Sequence, residues 1–223
     1  MGAIEVRPAR PDDRTAVFAF CARTWGDDGD YIPYVWDQWL VDTNGVLLVA
    51  QLDGQPVGLT HMDMVTADEG WIEGVRVDPS WRRQGIGRVL ISRSLAAAHE
   101  RGAAVVRMLT DSDNTASQQL FAKFGFERVA MFAHYVAGAL TEASAEPLPD
   151  GFTLRTPGPA DLERVWAFLE ASNLAPLNGG LLLQGWRAQA LTTEVLERRL
   201  AAGEVWTLEG WGAIQALAIA HAN

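Results

Sequence analysis

The stretch Val75-Arg76-Val77-Asp78-Pro79-Ser80-Trp81-Arg82-Arg83-Gln84-Gly85-Ile86-Gly87-Arg88 carries the clearest chemistry in the chain. An extended apolar run closes at Asp78-Pro79, and a glycine-containing turn then opens a helical pattern. The first backbone N–H groups of a helix have no partner inside it and lie at the positive end of its dipole, so such a start can hold a pyrophosphate. Gly85 and Gly87 let the backbone approach phosphate oxygens without a side-chain collision. Arg82, Arg83 and Arg88 add positive charge to a chain whose formal net charge is −10. The segment lacks the Gly-Lys-Ser/Thr of a Walker loop and the third in-phase glycine of a dinucleotide fingerprint. Taken alone, Gly-x-Gly marks a turn more often than a site. His61, His99, His134 and His221 are scattered without metal-ligand spacing, so no metal is expected. The single Cys21 can form neither an internal disulfide nor a thiolate metal site, and reads as a buried thiol.

The elements that must hold these residues follow from periodicity and turn chemistry. Ile4 to Arg7 reads as a strand, and Pro11-Asp12-Asp13 opens a helix with Val17, Phe18, Phe20 and Cys21 on its apolar positions. A glycine-rich loop leads to a second helix around Tyr34 to Val41, stopped by Thr43-Asn44-Gly45. Val46 to Leu52 and Val57 to Val65 flank Asp53-Gly54-Gln55-Pro56, a hairpin signal. Trp71 to Val77 is extended, Gly85 to Arg101 helical, Val105 to Thr110 strand-like, Asn114 to Phe124 helical and Val129 to Val136 strand-like. This order predicts an α/β (α+β) fold, a mixed central sheet flanked by helices.

With both motif and order in view, the sequence resembles the GNAT N-acetyltransferases. Their cofactor motif, Arg/Gln-x-x-Gly-x-Gly/Ala at the start of the helix after the fourth strand, is matched by Arg82-Arg83-Gln84-Gly85-Ile86-Gly87. Downstream, Asn114, Ala116, Leu120-Phe121, Lys123 and Gly125-Phe126 resemble the family's second signature. The resemblance implies acetyl-CoA, or another short acyl-CoA, in a splay between the fourth and fifth strands. The backbone of Val75 and Val77, with Arg76, would meet the pantetheine arm. Arg82 to Arg88 (Arg82, Arg83, Gln84, Gly85, Ile86, Gly87, Arg88) would hold the pyrophosphate, and Asn114, Ser117, Phe121 and Lys123 would contact the cofactor from the next helix.

The reaction so implied is attack of a neutral amine on a thioester, which needs a proton acceptor and stabilisation of the oxyanion. Glu73 is the candidate base; two residues before Val75, it shares that residue's face under strand alternation, although a cross-strand charge pair is an equal reading. Phe121 stands where the family's tyrosine acid is usual, leaving Tyr135 or water to serve. His61, which shares a strand face with Asp63, is a candidate on the acceptor side, against a more common structural role. Trp25-Gly26-Asp27-Asp28-Gly29-Asp30-Tyr31 sets carboxylates between aromatics, so Trp25, Asp28 and Tyr31 are candidates for a cationic or aromatic amine. A solvated turn explains the same composition.

Residues 138–150 lose periodicity and gain prolines, as a linker between a domain at 1–137 and a second module at 151–223. A constant shift of 148 positions pairs Arg7 with Arg155, Pro11 with Pro159, Asp13 with Asp161, Val17 with Val165 and Phe20 with Phe168. The later segment therefore reads as a truncated repeat of the first, without the cofactor motif. The acidic balance argues against nucleic acid, and no secretory signal or membrane-length apolar run is present, so a cytoplasmic protein is expected. The nine tryptophans are scattered, as core and cleft-wall residues would be. The expected activity is acetylation of a small-molecule primary amine. A protein lysine or N-terminal acetyltransferase and a non-catalytic acyl-CoA-binding module are the alternatives, and an apolar last strand leaves room for a homodimer.

Overall fold

The structure is a computed structural model describing residues 2–24, 29–135, 147–173 and 177–220. It divides into two compact units, Met1–Glu127 and Arg128–Asn223. No helix among the described residues is long and apolar enough to cross a membrane.

In the first unit β1 (Ile4–Pro8) is followed by a 3-10 turn, Pro11–Asp13, then by α1 (Arg14–Cys21) and α2 (Ile32–Leu40). Strands β2 (Val46–Leu52), β3 (Gln55–Met64) and β4 (Glu69–Val77) precede α3 (Ile86–Glu100), β5 (Val105–Arg107) and α4 (Thr115–Ala122). The sheet order is β1-β2-β3-β4-β5, antiparallel except for the parallel pair β4/β5. The β2–β3 hairpin turns on Asp53 and Gly54, both at positive φ (50° and 82°), the conformation whose twist matches the flanking strands.

Helical spacing decides which side chains line the core. Val17, Phe20 and Cys21 of α1 join Ile32, Trp36 and Trp39 of α2 against Leu47, Val49 and Leu59 on one sheet face. On the opposite face α3 lays Ile86 and Leu90 over Ala50, Leu52 and Val57, and Ile91, Ala97 and Ala98 over Met62 and Ile72. With both faces covered, Leu47 to Ala50 form a continuous buried run instead of an alternating one. Asp13 ties β1 to this layer, accepting hydrogen bonds from Arg7 at 2.7 and 2.8 Å and from the Arg10 N–H at 2.8 Å.

The second unit holds β6 (Phe152–Arg155), a Pro159–Asp161 turn, α5 (Leu162–Ala171), a hairpin of β7 (Leu181–Gln184) and β8 (Arg187–Ala190), α6 (Thr193–Ala201), β9 (Val205–Gly210) and β10 (Ala213–Ile219). Its three-stranded sheet runs β10-β9-β6, all antiparallel. Val165, Leu169, Leu196, Leu200, Val205 and Ile214 form its core. The β9–β10 turn, Trp211-Gly212, repeats the double positive φ (52° and 76°) of Asp53-Gly54. The buried indoles, Trp36, Trp39 and Trp71, belong to the first unit, at 0%, 4% and 1% exposure. Trp186, Trp206 and Trp211 of the second are 57%, 40% and 82% exposed.

One expectation is corrected. The apolar pattern from Val129 to Val136 does not make a strand over its described residues, 129–135. A strand exists only where a neighbour meets its N–H and C=O groups. Val129 and Met131 are exposed, and the stretch falls in the second unit. The β7–β8 hairpin, around Gly185-Trp186, answers to no sequence expectation.

Candidate active site

Strand β4 meets β5 only at its beginning, where Glu69 pairs with Val105, Gly70 with Val106 and Trp71 with Arg107. Arg107 Nη1 lies 2.9 Å from Glu69 Oε2 at this closed end, an ion pair by distance that is not aligned as a hydrogen bond. Past Trp71, β4 runs on to Val77, whereas β5 ends at Arg107. The backbone groups of β4 beyond Trp71 are therefore not laddered to β5, and a strand edge of this kind can pair with an extended, amide-bearing arm.

Strand β4 is also bulged. Gly58 pairs with Val77, Leu59 with Arg76 and His61 with Glu73, so Gly74 and Val75 together stand opposite Thr60. Gly74 holds a φ of +65°, and a Cβ there would stand 2.7 Å from the Trp39 ring, so a side chain is excluded twice over. The extra residue resets the alternation. Ile72 and Val75 pack on the α3/α4 side and Val77 on α3, whereas Glu73 and Arg76 turn to the α1/α2 side. Glu73 therefore does not share a face with Val75, correcting the simple period-two reading.

On the α1/α2 side Glu73 Oε1 lies 3.0 Å from His61 Nδ1, and His61 Nε2 lies 3.1 Å from Asp42 Oδ2. The His61 ring is wholly buried and stacks on Trp39, with centroids 4.4 Å apart and planes 8° from parallel. Full burial removes His61 from direct contact with an acceptor and places it behind Glu73. Arg76, expected at the cofactor, is buried and forked onto Asp30 at 2.7 and 3.1 Å. Burial works against its charge, but the Asp30 hydrogen bonds and charge outweigh this and hold the guanidinium above its ordinary pKa. The Arg76 guanidinium also lies 5.1 Å from the Tyr31 ring centroid, and Tyr31 meets Trp39 edge to face. Burial raises the Tyr31 phenol, Arg76 opposes the rise, and the charges of Glu73 and Asp30 add to it. Trp25 and Asp28 lie outside the described residues. Asp42, His61 and Glu73 form a line rather than a cage, and no group of His, Cys, Asp and Glu among the described residues is arranged to hold a metal ion.

The glycine turn follows directly from β4. Asp78 accepts the Ser80 N–H at 2.9 Å and pairs with Arg23 at 3.1 Å, fixing the exit from the strand. Arg83 and Gly85 take positive φ (63° and 86°), and α3 begins at Ile86 with no side chain capping its first N–H groups. A Cβ at Gly85 would meet nothing within 4 Å, so that side of the turn faces open space. Arg82, Arg83 and Arg88 are exposed around it and Gln84 is half-buried. These features suit a pyrophosphate, as expected of the turn.

Several residues of the expected cofactor set have other duties. The Ile86 side chain is in the core, so only its backbone faces the turn. A Cβ at Gly87 would stand 3.1 Å from Leu120 of α4, so this glycine lets two helices approach as well as freeing the backbone. Phe121 is 3% exposed and packs edge to face on Phe126, in the core cluster that also holds Val75. Asn114 caps α4, accepting the Ser117 N–H at 3.1 Å, while Lys123 is exposed. Tyr135 belongs to the second unit and is 89% exposed. Sequence reasoning missed Asp42, Trp39 and Gly74. Asp42 was hidden in what reads as a helix stop, and Trp39 in the apolar spacing of α2.

Residues 13–126 match the Acetyltransferase (GNAT) family. The chain belongs to this family. A mycothiol acetyltransferase of Kytococcus sedentarius is 33% identical over 103 residues, which cover 44% of this chain and 34% of that one. The GNAT chain described here thus spans about a third of that relative's length in the match. Among solved structures, the aminoglycoside 6'-N-acetyltransferase AAC(6')-Ih of Acinetobacter baumannii aligns with a TM-score of 0.52 at 18% identity, over 61% of this chain and 99% of its own. AAC(6')-Iy, in complex with a CoA-based bisubstrate analog, aligns with a TM-score of 0.53 at 18% identity, over 62% and 100%. At such identities these likenesses show the GNAT fold.

Proposed function

We propose that the protein is an acetyl-CoA-dependent N-acetyltransferase acting on a primary amine of a small molecule. The observation carrying this reading is the end of the β4/β5 ladder at Trp71, ahead of the uncapped start of α3, with Gly85 open to its surroundings. The N–H groups at the start of α3 hold the pyrophosphate, Arg82, Arg83 and Arg88 complement its charge, and the backbone of Val75 and Val77 binds the pantetheine amides. When bound, acetyl-CoA supplies the activated acyl carbon and a thiolate that leaves readily. Glu73, on the α1/α2 side of the strand, accepts the proton of the attacking amine. Tyr31, exposed beside Arg76, and the Glu73 carboxylate lie on the side from which an aromatic or cationic amine approaches. The small-molecule acceptor is favoured by the relative and neighbours, which are named as acetyltransferases of mycothiol and of aminoglycosides.

The second unit is a partial repeat of the first, lacking the cofactor turn. The common strand-turn-helix start, the matching antiparallel order of three strands and the shared positive-φ hairpin support this. A binding module without turnover is the second reading, favoured by the burial of Phe121 where a tyrosine acid is usual.

Release of free coenzyme A from acetyl-CoA, measured over tyramine, spermidine and kanamycin, tests the proposal. Turnover is expected with at least one amine, and Gly85→Val is expected to weaken coenzyme A binding at least tenfold by filling the phosphate side of the turn. Tight binding of coenzyme A without turnover on any amine would establish the second reading, and unchanged affinity in Gly85→Val would refute the placement.

A further inference from the structure

An imidazole buried between two carboxylates is a costly arrangement, because each ionic group gives up water and regains it only through well-aligned partners. His61 has such partners on both sides. Asp42, beyond it, is itself held: its Oδ1 accepts the Asn44 N–H at 2.9 Å. Gly45 stands so close that a Cβ there would lie 2.6 Å from Asp42 Oδ2. The imidazole plane is set by Trp39, and the β3 residues Leu59 and Met62 near it in sequence are fully buried. The line Asn44, Asp42, His61, Glu73 therefore fixes one oxygen of a carboxylate whose side chain is only 15% exposed.

We propose that His61 is a positioning residue for Glu73, and that Asp42 holds His61 in the required orientation. This rests on the reading of Glu73 as base. The step served is a proton transfer: an N–H bond of the acceptor breaks with its electron pair staying on nitrogen, and an O–H bond forms on Glu73. With the ring proton on Nδ1, a Glu73 oxygen that accepts from it keeps a single orientation toward the amine, so less ordering remains for the reaction itself. The stack on Trp39 links that orientation to α2, the helix that carries Tyr31 at its start.

The test measures coenzyme A release with acetyl-CoA and the fastest amine among tyramine, spermidine and kanamycin. Glu73→Gln is expected to lower kcat by about 100- to 10,000-fold, the range for a lost general base. His61→Leu is expected to lower kcat by roughly 10- to 100-fold, the scale known for residues that orient metal ligands, with KM for acetyl-CoA unchanged. His61→Asn, which can present a donor near the place of Nδ1, is expected to recover part of that loss. In the Glu73→Gln background, His61→Leu is expected to cost nothing further. Equal losses in both backgrounds would overturn the positioning role while leaving Glu73 as base. No loss in Glu73→Gln would overturn the base reading and this inference with it, as would absence of turnover on every amine. Should His61→Leu fail to fold, Asp42→Asn, at a side chain 18% exposed, enters the same double-variant comparison with the same expected outcome. A readout without turnover is the nitrogen NMR spectrum of the imidazole, in which Glu73→Gln is expected to move the Nδ1 resonance of His61. An unmoved resonance would overturn the proposal.

Discussion

Asp13 shows how one side chain can serve two strands of an argument about stability. Burial by itself raises its carboxyl, but the hydrogen bonds from Arg7 and the Arg10 N–H, with the charges of Arg7 and Arg10, more than offset this and leave the pKa lowered. A folded value below the unfolded one means that this stabilisation is fully present above the unfolded pKa, about 3.9, and is lost as pH falls through the lower folded value. Asp13→Asn is thus expected to cost about 1.5–3 kcal/mol at neutral pH and progressively less in acid, measured as thermal midpoints across an acid series. A constant difference at every pH would contradict it. Cys21 tests burial in the other direction. Its thiol is pushed up to about 12, chiefly by burial, with the Asp30 charge adding to the rise. A thiol 1% exposed and protonated is expected to resist iodoacetamide in the native protein and to react once unfolded. The sequence displayed Cys21 through its helical spacing, but hid Asp42, because a residue after the last turn of a helix looks the same whether it faces water or an imidazole.

For the elements, legibility followed hydrogen-bond locality. The Asp53-Gly54 hairpin and the α3 start after Gly85 were readable, since their signals are short and carried by residues with special φ. The bulge in β4 was not, because a period-two pattern counts residues along one strand, whereas a bulge is a relation between two. The strand expected at Val129 failed for the same reason: apolar alternation can propose a strand but cannot supply its neighbour. Gly74→Ala combines positive φ with a collision against Trp39, so a cost of about 2–5 kcal/mol in urea unfolding is expected. Gly54→Ala is the control. Its φ of +82° is as unfavourable, but nothing lies within 4 Å of the added Cβ, so only about 1 kcal/mol is expected. Equal costs at both glycines would mean that Trp39 does not close over β4.

Over the whole molecule, each unit has its own core, and the proposed cofactor groups all lie in the first. Leu196, wholly buried in the second core, can therefore be emptied as a separate test. Leu196→Ala is expected to cost about 2–5 kcal/mol in that unit while coenzyme A affinity stays unchanged. A matching loss of affinity would place part of the cofactor site in the second unit. The shift of 148 positions pointed to the strand-turn-helix start that the second unit has at β6, Pro159–Asp161 and α5, but the β7–β8 hairpin has no counterpart among the described residues of the first unit and could not be read from it. The uneven burial of the indoles divides the molecule optically. Trp36, Trp39 and Trp71 emit from a dry interior, beyond the reach of iodide, while Trp186, Trp206 and Trp211 emit from surfaces that iodide can visit. Their fluorescence is thus a mixture of two colours, with Trp81 and Trp166, both half-buried, between them.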